Sequence, residues 1–195
     1  MTNPDAHGTG APVPPGVTAY LRAVDRLAVG GGILAALCLA ALTLLILAEI
    51  ATASLSKLFP VFPPDIAVAW EYSAYLMGSA FMLGSALALR SGSHIRVSAL
   101  LGALSPAGVR ALETVASLLG TAMAGYLAWV MVLFAARSVA TDQVSVASHT
   151  LLWPVQATLA LGATILFVAM TGRLVACLFG LPPENADLKV ATASE

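Results

Sequence analysis

Carboxylates set in apolar surroundings, isolated histidines and thiols are the groups in this 195-residue sequence with chemical potential. Glu49 and Glu71 stand within or at the edge of long apolar runs. A carboxylate at the centre of a membrane helix costs roughly 2.5–3.5 kcal/mol on insertion scales, so one kept there faces protein or water. Two readings compete. In one, the two carboxylates relay a proton or ion between adjacent helices. In the other, each is an interfacial group near the outer end of its helix, hydrated or paired, with Arg137 as a candidate cation. A relay belongs near mid-membrane and both residues lie toward the ends of their runs, which favours the second reading. Arg137 either completes such a pair or snorkels to the headgroups.

The other candidates are weaker. His94 and His149 fall on opposite sides of a chain that crosses four times, so they cannot share a metal or haem, and no apolar run contains a histidine. His94 reads as a headgroup or partner-helix contact. Cys38 and Cys177 lie in apolar runs without C-x-x-C spacing; they read as packing residues, with a redox pair as the alternative. Gly30-Gly31-Gly32 follows no strand and makes no phosphate loop. No Ser/His/Asp or Cys/His constellation can be assembled. The expectation is no enzyme, no cofactor and no metal.

What must position these residues is a bilayer. The chain is 59% hydrophobic and 10% charged, with a mean hydropathy of +0.90, against about 25% charged for a soluble domain. The class is therefore an all-α integral membrane protein, with too little chain outside the bilayer for a soluble catalytic domain. A net charge of −1 gives no reason to expect a nucleic-acid partner.

Residues 1–16, rich in Pro, Gly and Thr, read as a disordered tail. The membrane domain covers 17–180, with spans expected at about 27–50, 66–89, 112–136 and 151–179, and a flexible tail over 181–195. Residues 17–26 form an amphipathic lead-in at the membrane surface. The first span is too long for a signal-peptide core and reads as an uncleaved anchor. Pro60, Pro63 and Pro64 separate it from the second, with Asp65 a candidate N-cap; Ser105-Pro106 has the pattern of a helix start. Between the second and third spans, 94–104 is too short to cross and is expected to lie flat as a horizontal amphipathic arm helix. Within the second span Ala80, Gly84 and Ala88 form a smooth face that another helix can approach.

Charge sets the topology. Arg22, Arg26, Arg90, Arg96, Arg110, Arg173 and Lys189 fall on one side of a four-crossing chain, and Lys57 and Arg137 on the other. Basic residues mark the cytoplasmic side, so both termini are expected there. Trp70 and Trp153 then land at the outer boundary and Trp129 about two turns below it, as an aromatic belt requires.

The central pattern joins Trp70-Glu71, then Leu83-Gly84-Ser85-Ala86, then Arg90-x-Gly92-x-His94-Ile95-Arg96-Val97. It resembles the small membrane (DctQ-type) subunit of tripartite ATP-independent periplasmic (TRAP) transporters, over about residues 22–179. The resemblance implies a four-helix protein of the bacterial inner membrane that scaffolds a large transport subunit. That subunit moves sodium and substrate, while an extracytoplasmic binding protein delivers the substrate, commonly an organic acid. Contacts to the large subunit or to lipid are expected from Glu49, Trp70, Glu71, Ala80, Gly84, Ala88, Arg90, His94, Arg96 and Arg137. Ser98, Ala53, Tyr72 and Ser73 depart from the family's usual residues. The competing function is a self-sufficient proton-coupled exporter that uses Glu49; the length of the chain and the arm argue against it.

Overall fold

The computed structural model describes residues 14–59, 61, 63–92 and 105–188. The expected arm at 94–104, with His94 and Arg96, lies outside the described residues. Those described form α1 (Pro15–Leu58), α2 (Ala69–Arg90), α3 (Pro106–Ala140), α4 (Trp153–Leu178) and a short 3-10 turn, Ala186–Leu188. All four long helices have the length and apolar content to cross a membrane.

The helix boundaries shift for local reasons. The expected surface lead-in at 17–26 is the first part of α1, which starts with proline in its first turn and runs unbroken through 44 residues. No proline follows Pro15 within it, so residues 17–26 continue the span instead of lying beside it; at 1.5 Å per residue α1 is about 66 Å long. The second helix starts at Ala69, not Ile66. Its N-cap is Val68, without a side-chain cap, so Asp65 does not serve as one; the Pro63-Pro64 pair leads into a turn closed by the Ala69 amide on the Ile66 carbonyl at 2.8 Å. Ser105 behaves as expected, its hydroxyl accepting from the Gly108 amide at 3.3 Å. At the end of α4, Gly180 takes φ +68 and the Leu181 amide reaches the Ala176 carbonyl at 2.8 Å, a left-handed glycine stop.

Contacts fix the directions. Asp25 meets Arg90 and Gly31 meets Leu83, so α1 and α2 are antiparallel. Tyr72 pairs with Thr150 and Ser79 with Thr158, so α2 and α4 are parallel. Gly120 meets Met170 and Gly125 meets Phe167, so α3 and α4 are antiparallel. The four helices therefore alternate. Asp25, Arg90, Arg110 and residues 179–188 gather at one end, called proximal below; residues 63–68 and 141–152 lie at the distal end.

The arrangement is an open row, not a closed bundle. α2 and α4 form the middle, α1 lies on α2 and also touches α4, and α3 packs on α4. The core is built of small residues, Ala28, Ala86 and Ala169 among them, closed by Val24 and Leu89. Small side chains let helix backbones approach closely where lipid gives no hydrophobic drive to associate. The two thiols are not a pair: Cys38 lies seven residues distal of Gly31 and Cys177 twelve residues proximal of its neighbour Ile165, about 28 Å apart in level.

Candidate functional site

The expected site residues divide among three places. At the distal end, Trp70 opens the first turn of α2 and is 66% exposed, and Trp129 and Trp153 are also exposed. Trp70 and Trp153 stand at the distal ends of α2 and α4, and Trp129 lies eleven residues short of the distal end of α3. Glu71, one residue on, turns inward and is only 4% exposed. The Tyr75 hydroxyl, one turn below, donates to its Oε1. Ser145 and Ser148 of the α3–α4 loop turn their hydroxyls toward the same carboxylate. Ser145 Oγ already accepts the Ala147 amide at 3.2 Å, and Ser148 Oγ accepts the Thr150 amide at 3.3 Å and shares a 2.7 Å hydrogen bond with Thr150 Oγ1. Oε2 has no direct hydrogen-bond partner among the described residues.

Around this carboxylate the expected polar loop is a folded cap. An antiparallel bridge joins Val144 and Leu151. The Ser145 amide donates to the Thr150 carbonyl at 2.8 Å and the Leu152 amide to the Gln143 carbonyl at 3.0 Å. Asp142 and His149 take left-handed φ values of 46 and 54 to close it, a conformation in which Asn, Asp and His are the enriched non-glycine residues. Leu151 thus belongs to the bridge, and α4 starts at Trp153. Glu71 and Glu49 make no ion pair with Arg137, which is exposed at the end of α3. Glu49 is half-buried on the α1 face that carries Gly31, Ala35, Leu42 and Leu45.

The second place is the α1–α2 seam. Ala80 is buried and Gly84 and Ala88 half-buried. A Cβ on Gly84 would sit 3.4 Å from the Ala35 Cβ, so this part of the smooth face is used inside the chain, against α1. Closer approaches occur at glycines outside the expected set. A Cβ on Gly31 would fall 2.7 Å from the Leu83 carbonyl oxygen, one on Gly162 2.7 Å from the Met82 carbonyl carbon, and one on Gly32 inside the Leu87 side chain. The Gly30-Gly31-Gly32 run is the visible signal for two of these.

The third place is the proximal end. Arg90, the last residue of α2, is 3% exposed. Its Nε donates to Asp25 Oδ1 at 2.6 Å and its Nη1 to the Pro183 carbonyl at 3.2 Å. Asn185 donates from Nδ2 to Asp25 Oδ2 at 3.0 Å and from its backbone amide to the Arg90 carbonyl at 3.0 Å. The expected loose tail from Leu181 is therefore a docked segment as far as Leu188, held because a buried guanidinium needs several acceptors. Asp25 and Asn185 are not among the expected residues; a lone acid in the first helix carries no sign of which arginine it will meet.

Fold and end clusters together define a multi-pass helical membrane protein whose polar groups at the helix ends bind one another. The chain belongs to the family of the DctQ component of tripartite ATP-independent periplasmic transporters, whose family model matches residues 54–180. It is the small membrane subunit type. The match begins in the last turns of α1, so it covers α2, α3 and α4 but leaves out most of α1, including Asp25, and also Asn185. No curated protein and no solved structure matches the chain.

Proposed function

We propose that this chain braces a large TRAP transport subunit in the bacterial inner membrane and carries no solute itself. The large subunit then moves an organic acid with sodium, after a periplasmic binding protein delivers it. Family membership is the observation that carries this reading, and the way the chain spends its polar groups supports it. Ser79 is paired with Thr158 at 2.9 Å, and Thr43, Thr121 and Thr164 return their hydroxyls to carbonyls one turn back. Outward faces are left apolar: Leu37, Leu44 and Leu47 on α1, Leu119, Met123 and Tyr126 on α3. Such faces suit packing against another helical subunit or lipid.

The proximal end is the cytoplasmic one in this reading. Arg22, Arg26, Arg90, Arg110 and Arg173 lie toward it and Lys57 and Arg137 toward the other, the asymmetry that orients membrane helices. Both termini are then cytoplasmic, and the Glu71-centred cap faces the binding protein. Arg96 and His94 belong to the contact with the large subunit or with anionic headgroups, each basic residue adding about 1 kcal/mol at a charged surface.

Co-purification tests the reading. Tagged chain co-expressed with its TRAP large subunit should recover that subunit from detergent, and Arg96→Glu should reduce recovery without preventing insertion. Recovery of no large subunit, or uptake of an organic acid by this chain alone in liposomes, would sink it.

A further inference from the structure

We infer that residues 183–185 are a clasp that locks the foot of α1 onto α2, with Asn185 holding Asp25 in place as the counter-ion of buried Arg90. This stands on intramolecular geometry alone and holds whether or not a large subunit is bound. A guanidinium 3% exposed requires a counter-ion and further acceptors, or its desolvation is uncompensated. Asp25 supplies the charge to Nε and Pro183 a carbonyl to Nη1. Asp25 could rotate away from a single contact; its second oxygen is held by the Asn185 amide.

Asn185 is committed at each of its polar groups. Its N–H takes the Arg90 carbonyl, one of the carbonyls left over at the end of a helix. Its side-chain oxygen accepts the Asp187 amide at 3.0 Å, and its own carbonyl accepts the Leu188 amide at 3.2 Å. The last two bonds set the Ala186–Leu188 turn, which fixes the rotamer that reaches Asp25.

The place of the clasp gives it its consequence. The buried residues of α1 are Val24, Ala28, Gly31 and Ala35, and none lies beyond Ala35. Val24 also meets Gly172, and Gly31 also meets Ile165, so here α1 is held by α4 as well as by α2. The clasp closes the proximal end of that stretch. Leu58 lies about 50 Å further along the helix, so a tilt of about 5° at the foot displaces it by about 4 Å. A segment beyond the family-matched residues thus aims a helix that is itself mostly beyond them.

Hydrogen exchange of the full chain in detergent, read by mass spectrometry, tests this with three variants: Asn185→Ala, Asn185→Asp and a chain ending at Pro182. Peptides from residues 20–35 should exchange about tenfold faster in Asn185→Ala and in the shortened chain, the scale of one lost charge-assisted hydrogen bond. Those from 115–135 of α3 should not change. Asn185→Asp should exchange faster still at 20–35, because it sets a carboxylate against Asp25. Unchanged exchange at 20–35 in the shortened chain would overturn the clasp, as would acceleration spread equally over α3, which reports general loosening. Wild-type exchange in Asn185→Asp would overturn the role given to the Asn185 amide.

Discussion

The carbonyl oxygen of Leu83 lies 2.7 Å from where a Cβ on Gly31 would stand, while a Cβ on Gly30 would meet nothing within 4 Å. Adjacent glycines in one helix thus have opposite duties. Gly31 lets α1 settle against the α2 backbone; Gly30 faces outward. Gly31→Ala forces two backbones apart and should destabilise by about 1–3 kcal/mol, the usual range for overpacking. Gly30→Ala should be neutral or stabilise by about 0.5–1 kcal/mol, through the gain in helix propensity. Thermal unfolding in detergent compares the two; equal midpoints would mean that the α1–α2 seam is not packed this closely.

The four crossings are legible in the sequence because an apolar run of about 20 residues has few other uses. The small-residue face of α2 is legible too, as is Ser105 as a cap, since both signals are local. What the residues cannot show is which groups meet across the fold. Arg90 stands out as a basic residue at a span end, which suggests a partner or lipid contact. Its actual neighbours are 65 residues before it and 93 and 95 residues after it, and no local pattern encodes such pairings. Glu71 invites an interfacial role with Arg137 as partner, because opposite charges are the pairing that can be read without geometry. Its hydroxyl partners are uncharged and two of them lie in a loop, so they give no signal. Gly162 reads as one more small residue in α4 until the Met82 backbone is seen beside it.

The hydroxyl cage around Glu71 separates two substitutions. Arg137 is exposed and makes no ion pair with either carboxylate, so Arg137→Ala should leave stability within about 0.5 kcal/mol of wild type. Glu71→Ala removes the acceptor of the Tyr75 hydroxyl and the carboxylate beside which Ser145 and Ser148 of the loop lie. Its clearest effect should be local, with faster proteolysis and amide exchange in residues 142–151. Glu71→Gln keeps an acceptor for Tyr75 and should fall between. A loop unchanged in Glu71→Ala would show that the cap folds without its carboxylate.

The α2–α4 seam offers a second glycine contrast. A Cβ on Gly162 would stand 2.7 Å from the Met82 carbonyl carbon and 2.9 Å from the Leu83 amide nitrogen, both backbone atoms that cannot rotate away. On Gly78 it would meet only the Leu159 Cδ2 at 3.7 Å, an ordinary contact with a movable side chain. Gly162→Ala should therefore lower stability by about 1–3 kcal/mol, and Gly78→Ala should be tolerated. Because Gly31 approaches the Leu83 carbonyl and Gly162 the adjoining Met82–Leu83 peptide, the double variant Gly31→Ala/Gly162→Ala should depart from additivity, as neighbouring sites do. The sum of the single effects in a thermal-unfolding cycle would show that α2 yields to each neighbour independently.

The ion pair at the proximal end should behave as a buried one. Asp25→Ala leaves the Arg90 guanidinium inside the protein without a counter-ion, and breaking a buried pair in this way costs about 3–5 kcal/mol. Replacing both members, as Asp25→Leu/Arg90→Met, removes the desolvation problem along with the attraction, so stability should return toward wild type. Backbone bonds give the double variant a further reason to fold: the Asn185 amide still has the carbonyl at position 90 to bind, because that bond needs no side chain. What the double variant cannot restore is the grip on Asp25 Oδ2, so it should regain its unfolding midpoint while residues 20–35 still exchange faster than in wild type. If the single and double variants unfold alike, Arg90 is reached by water or by another acceptor, and its burial is not what makes Asp25 necessary.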